Sequence, residues 1–190
     1  MKKIIIGSLA LLVLLAGCGQ KKESAEPSKD TTTEALQSTL PILENANNNT
    51  VVTKTLVLPL DENGVQQTQT ITYKGKQFLT LTIQQKRQVS EDLKNFIAEH
   101  GLEEAKKALK EEEDKDESLQ EARKIPGFSL ETNLLSDTEI ETKTSYDFQI
   151  LDVKKASESE YLKHVGLENL LKNEPEEYIE NRVASGATVQ

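Results

Sequence analysis

Few side chains in this sequence could carry chemistry, and each can be weighed in its local context. His100 and His164 are the two histidines. Each lies near the end of an expected helix, where an imidazolium is favoured by the helix dipole and by nearby acids. Neither belongs to an H-x-x-x-H pair, so both are read as surface or capping residues and no metal site is assigned. Lys110 to Glu117 reads K-E-E-E-D-K-D-E, and Asp114-x-Asp116-x-Ser118 within it has the alternating oxygens that open a calcium loop. The loop does not continue, because its sixth position is Leu119 instead of Gly and its twelfth is Ile125 instead of a bidentate Glu. Glu111 and Lys115, at i and i+4, fit a solvated helix face; weak divalent-cation binding is the alternative for this segment. For a nucleophile there is no G-x-S-x-G, and Ser90-Glu91-Asp92-Leu93 and Ser159-Glu160-Tyr161-Leu162 each have Leu where S-x-x-K needs Lys. Walker A and G-x-G-x-x-G are missing as well. No catalytic residue and no cofactor is assigned, and an enzyme is not expected; a hydrolase is the rival class.

Cys18 is the one residue whose surroundings dictate a reaction. Met1-Lys2-Lys3 carries the charge of a signal-peptide n-region, and the 13 residues Ile4 to Ala16 are apolar, the length of an h-region. That run is too short for the roughly 20 residues needed to cross a bilayer. Leu15-Ala16-Gly17-Cys18 directly follows it and resembles a bacterial lipobox, in which the cysteine becomes the first residue of the mature protein. The resemblance implies acylation of the Cys18 thiol and cleavage after Gly17, so that residues 1–17 are a signal peptide. One acyl chain binds a membrane only marginally, whereas the two or more of a lipoprotein anchor it stably. Cys18 is the single cysteine, so its use as the anchor leaves neither a disulfide nor a cysteine nucleophile.

The elements that would position any further chemistry begin after a long polar stretch. Residues 18–50 are dominated by Lys, Glu, Ser, Thr, Asn and Pro and read as the lipidated cysteine and a flexible tether. Leu36, Leu40, Ile42 and Leu43 are its apolar exceptions, able to form a short helix or to dock on the domain. Some 30 flexible residues reach about 30 Å, several times the Debye length of about 8 Å. With 23 Lys plus Arg against 32 Asp plus Glu the formal charge is −9, and loss of Lys2 and Lys3 takes it to −11. So acidic a domain is a poor ligand for phosphates, which excludes nucleic acid, and the tether holds it clear of an anionic membrane.

Residues 51–183 read as one α+β domain and residues 184–190 as a tail. Val51 to Leu60, Val65 to Tyr73 and Gln77 to Arg87 form three expected strands, with Asp61-Glu62-Asn63-Gly64 and Lys74-Gly75-Lys76 as turns. Leu79, Leu81 and Ile83 share a parity, as a half-buried strand requires. Ser90 caps a helix that buries Leu93, Phe96 and Ile97 and stops at Gly101. A second helical stretch runs from Leu102 to Lys124, and Ile125-Pro126-Gly127 ends it. Phe128, Leu130 and Leu134, then Ile140, Tyr146, Phe148 and Ile150, predict two more strands. Helices over Ser157 to Leu171 and after Pro175, with Tyr178, Ile179 and Val183, complete the chain. Strands, helices, strands and helices in that order predict an antiparallel sheet of about five strands covered by helices, with Leu81 and Phe148 in its core.

Tyr73-Lys74-Gly75 between two strands, a helix opened by Ser90, Pro126-Gly127-Phe128 leading into a strand, and Tyr146-Asp147-Phe148-Gln149-Ile150 running to Asp152 together resemble the YehR-like bacterial lipoproteins. The resemblance covers roughly Thr70 to Val165; the helical region 103–120 is longer and more acidic than that family's, and the chain beyond Leu167 lies outside it. It implies a lipid-anchored location on the outer side of the cytoplasmic boundary and a small α+β fold, and it transfers no active-site residue. The expectation from sequence is a non-catalytic envelope module, held to the membrane through Cys18 and binding an envelope protein or small ligand at residues the sequence does not identify. A weakly cation-binding lipoprotein and an envelope hydrolase are its alternatives.

Overall fold

The computed structural model describes residues 50–190. The expected signal peptide over 1–17, the expected acylation at Cys18 and the expected tether over 18–50 all fall outside the described residues, Thr50 apart. Six strands form one antiparallel sheet: β1 (Val51–Val57), β2 (Gln66–Lys74), β3 (Gln77–Gln88), β4 (Phe128–Leu134), β5 (Glu139–Asp147) and β6 (Thr188–Val189). Their spatial order is β4-β5-β3-β2-β1-β6. The helices are α1 (Glu91–His100), α2 (Leu102–Lys115), α3 (Glu117–Arg123), α4 (Val153–Glu158), α5 (Leu167–Leu170) and α6 (Pro175–Ala184). The α+β class with an antiparallel sheet is therefore the observed one, with six strands where the sequence predicts about five.

Short-range chemistry sets most boundaries. Asp61 Oδ1 accepts from the backbone N–H of Asn63 and Val65, both at 2.8 Å, which fixes the β1–β2 turn. Ser90 Oγ accepts from Leu93 N at 3.3 Å and caps α1 as its sequence predicts. Gly127 has φ +85°, and a Cβ there would lie 2.6 Å from the Asp147 carbonyl oxygen, so a side chain would collide where α3 passes into β4.

Several expectations need correction. A bulge between Thr72 and Tyr73 pairs Tyr73 with Phe78. Phe78 therefore enters the core, and Leu79 is the extra, half-buried residue. The stretch from Leu102 to Lys124 is two helices broken at Asp116, whose carboxylate accepts from Leu119 N at 3.0 Å and so starts α3 anew. Strand β5 stops at Asp147, and a turn carries Phe148 to a half-buried place at the edge of the core and leaves Ile150 exposed. Ser157 to Leu171 is not one helix: Ser159 ends α4, and turns lead to the single-turn α5. Val183 is exposed on α6. Residues 184–190, read as a tail, carry β6, which pairs with Leu56 and Val57, while Ala187 is buried behind it.

One face of the sheet is covered by the helices. Leu56, Ile71, Leu81, Ile83 and Tyr146 are buried there against Leu162, Leu167, Leu170 and Ile179 of the C-terminal region. A second, smaller cluster joins Val89, Leu93, Ile97 and Ala105 to Leu134 and Ile140 at the far end of β4 and β5. Between the two clusters a polar row crosses the same face: Thr132 lies opposite Thr142, Thr142 opposite Gln85, and Gln85 opposite Gln67. The other face is clear of helices among the described residues and carries a row of hydroxyls, Thr55, Thr70, Thr82, Ser145 and Ser129, each opposite the next. Thr55 and Thr70 stand 3.3 Å apart and Thr82 and Ser145 3.1 Å apart, so these hydroxyls bond to one another across strands.

Candidate functional site

The break at Asp116 turns the chain and brings the end of α3 back along α2. Ser118 Oγ donates to Asp116 Oδ1 at 2.7 Å. That bond, against a smaller opposing effect of partial burial and with help from the α3 backbone, holds the Asp116 carboxyl below the usual carboxylate range. Gln120 Nε2 donates to the Glu113 carbonyl at 2.8 Å and satisfies one of the last acceptors of α2. Arg123, at the end of α3, donates from Nη2 to Glu113 Oε2 at 2.7 Å and to the Leu130 carbonyl of β4 at 3.1 Å. One guanidinium thus ties α2, α3 and β4 together, through an ion pair largely withdrawn from water.

The space left between α2 and β4 is a groove of about 780 Å³, within the range of ligand sites. Lys106, Leu109, Lys110 and Glu113 line its helical wall, and residues 130–135 with Arg123 line the opposite wall. Two buried oxygens here have no hydrogen-bond partner among the described residues, Glu113 Oε1 and Thr132 Oγ1. Buried polar atoms are nearly always paired in native proteins, so these two are exceptions, and both belong to residues that line this groove. Lys106 and Lys110 stand at its rim, bonded to Glu103 at 2.7 Å and to Asp114 at 2.8 Å.

Two further depressions are smaller. One, of about 490 Å³, lies between α3 and α4 and is lined by Glu117, Glu121, Glu158 and Glu160 with Lys155. The other, of about 420 Å³, lies at the end of the open face beside Gly64 and Lys86. No group of three His, Cys, Asp or Glu able to hold a metal occurs among the described residues. A polar cluster also ties α6 to the sheet. Glu176 accepts from the Tyr73 hydroxyl and from Lys54 Nζ. Burial disfavours the Glu176 carboxylate, but these two bonds and the Lys54 charge outweigh it and hold its carboxyl below the usual range. Tyr178 donates to the fully buried Gln69 at 2.8 Å, and Arg182 lies 5.0 Å over the Tyr178 ring.

The residues singled out in the sequence are dispersed. His100 ends α1 as expected, exposed, with its ring 4.5 Å from that of Phe96 and its Nε2 3.7 Å from Glu99. His164 is exposed in the turns that precede α5 instead of ending a helix. Asp114 binds Lys110, and Asp116 caps α3, so the oxygens of the calcium-like opening are engaged separately. Lys115 pairs with Glu112 at i+3 and not with Glu111. Ser90 caps a helix, and Ser159 lies at the end of another. Sequence reading missed the groove altogether. One signal was available: Thr132 stands in the apolar parity of Phe128, Leu130 and Leu134, where a polar side chain needs a reason.

No helix among the described residues is long and apolar enough to cross a membrane. No curated protein matches the chain. Among solved structures, the chain is similar to a protein from Streptococcus pneumoniae TIGR4 determined by NMR, at 64% identity and a TM-score of 0.69, over 87% of this chain and 100% of that one. It is also similar to the E. coli YehR protein, likewise determined by NMR, at 19% identity and a TM-score of 0.48, over 74% of this chain and 91% of that one. A family model matches residues 51–182, which among the described residues takes in α1 to α5, α6 without its last two residues, and every strand but β6, and on that match the chain belongs to the YehR-like family.

Proposed function

We propose that the protein is a lipid-anchored, non-catalytic module of the bacterial cell envelope whose α+β domain binds a partner in the groove between α2 and β4. The observation that carries the binding reading is the pair of buried, unpartnered oxygens of Glu113 and Thr132 in one cleft. Leu15-Ala16-Gly17-Cys18 after an apolar run supports the anchor. Neither histidine is among the residues that line the groove, which supports binding over hydrolysis. The long polar stretch before Val51 suits a domain displayed clear of a surface.

Two measurements on bacterial cells test the two halves. Radiolabelled palmitate should enter the wild-type protein and be lost in Cys18→Ala, with the protein recovered in the membrane fraction; label retained in the variant refutes the anchor. A photo-crosslinking residue at Leu109 on the α2 wall of the groove should give adducts on intact cells, while one at Thr70 on the open face should not. Adducts from Thr70 alone refute the groove.

A further inference from the structure

The sheet has two edges, and the chain treats them differently. The β1 edge is closed by β6, with Gln190 N donating to the Thr55 carbonyl at 2.9 Å beyond it. The β4 edge has no strand beside it among the described residues. Asp147 N donates to Gly127 O at 2.7 Å and Leu135 N to Glu139 O at 2.9 Å. Antiparallel pairing alternates along a strand, so Ser129, Glu131 and Asn133 give their backbone groups to β5, whereas Leu130, Thr132 and Leu134 turn theirs outward. The Leu130 carbonyl is taken by Arg123, which confirms that direction. The N–H and C=O of Thr132 and Leu134 are left facing the groove.

Exposed edges are normally blunted, because they template pairing with another chain. Here the edge is kept, and α2 stands beside it, which is the arrangement used where an extended peptide adds to a sheet between an edge strand and a helix. We propose that the groove takes an extended, acidic segment of a partner protein as an additional strand on β4. An extended peptide supplies what the groove lacks: alternating backbone donors and acceptors for Thr132 and Leu134, and backbone N–H or side-chain hydroxyl donors for Glu113 Oε1 and Thr132 Oγ1. The charge follows from Lys106 and Lys110 at the rim, whose exposed pairs with Glu103 and Asp114 within α2 are weak enough to exchange for carboxylates of an incoming segment. A second copy fits less well, since each copy carries the same acidic charge. This inference rests on the groove being the binding site, and adds what it binds.

The test uses the full mature chain, ¹⁵N-labelled, with a synthetic ten-residue peptide that alternates valine with aspartate and threonine as probe. Binding should slow amide exchange at Thr132 and Leu134 about tenfold or more while leaving the β1 amides unchanged. Thr132→Pro removes an outward N–H without touching the β4–β5 ladder, where proline is tolerated, and should abolish the effect. Lys106→Glu with Lys110→Glu, both exposed, should weaken binding about tenfold and reduce its salt dependence, and this double variant decides the matter should the proline variant misfold. Exchange at Thr132 and Leu134 that the probe leaves unmoved refutes strand addition, even where the Leu109 probe still crosslinks on cells and the groove stands as a binding site. Perturbation of Thr70 and Thr82 instead refutes it too. So does protection of Thr132 and Leu134 in the free protein that vanishes on deletion of residues 19–49 or on dilution, which would assign the edge to the chain's own tether or to a second copy.

Discussion

Tyr146 shows how much a single buried group can cost. It is fully buried among Phe128, Phe148 and the sheet, and its hydroxyl has no partner among the described residues. An unsatisfied buried hydroxyl costs roughly 1–3 kcal/mol. Tyr146→Phe keeps the ring and removes that liability, so it should raise stability by about 1 kcal/mol; a urea midpoint below the parent's would reveal a partner for the hydroxyl. Phe148, by contrast, shares the parity of Tyr146 in the sequence but not its burial, because the strand ends between them. Its truncation should cost well under the 3–5 kcal/mol of a fully buried Phe. At this scale alternation is legible only as far as the hydrogen-bonded ladder runs, and the end of the ladder is set by Gly127 packing against Asp147, a contact distant in sequence.

Elements were legible where local signals agreed. The first three strands, the capped α1 and the Pro175 start of α6 each combine a periodic apolar pattern with a turn or cap residue. Two failures are breaks in expected helices: the Asp116 carboxylate caps a new start at α3, and α4 already ends at Ser159. The final strand was hidden for a different reason. Two residues carry no periodicity, and β6 exists only because Leu56 and Val57 present an edge to Thr188 and Val189. Deleting residues 186–190 should uncover that edge, expose the packing behind Ala187, and lower unfolding stability by about 1–2 kcal/mol. Sedimentation should then show concentration-dependent association that the parent lacks. Sheet order explains why the groove was invisible: nothing in Phe128 to Leu134 announces that this strand, and not β5, lies at the margin.

For the whole molecule, aromatic burial links stability to alkaline pH. All four tyrosines have raised pKa values. Burial is the leading cause in each, reinforced at Tyr73 by Glu176 and at Tyr161, pushed up to about 12, by Asp116 and Glu113. The unfolded chain ionises near pH 10, while the folded chain holds its protons to higher pH. Their contribution is therefore complete below about pH 10 and is lost as pH rises from there through the folded-state values. Phenolate absorbance at 295 nm should appear in one cooperative step, coincident with loss of the folded circular-dichroism signal. A gradual rise near pH 10 with the fold intact would show the rings to be accessible.

The hydrogen bonds between β1 and β2 run perpendicular to the strands over seven consecutive residue pairs. Tension applied to the chain at Val51, along the axis of β1, therefore loads that whole ladder at once in shear instead of opening it one bond at a time. A domain held at this end by a tether and gripped on β4 would transmit force across the full width of the sheet, and β1 would give way only when the pairs failed together. The architecture has its mechanically strong direction along the line on which an anchored protein would be pulled.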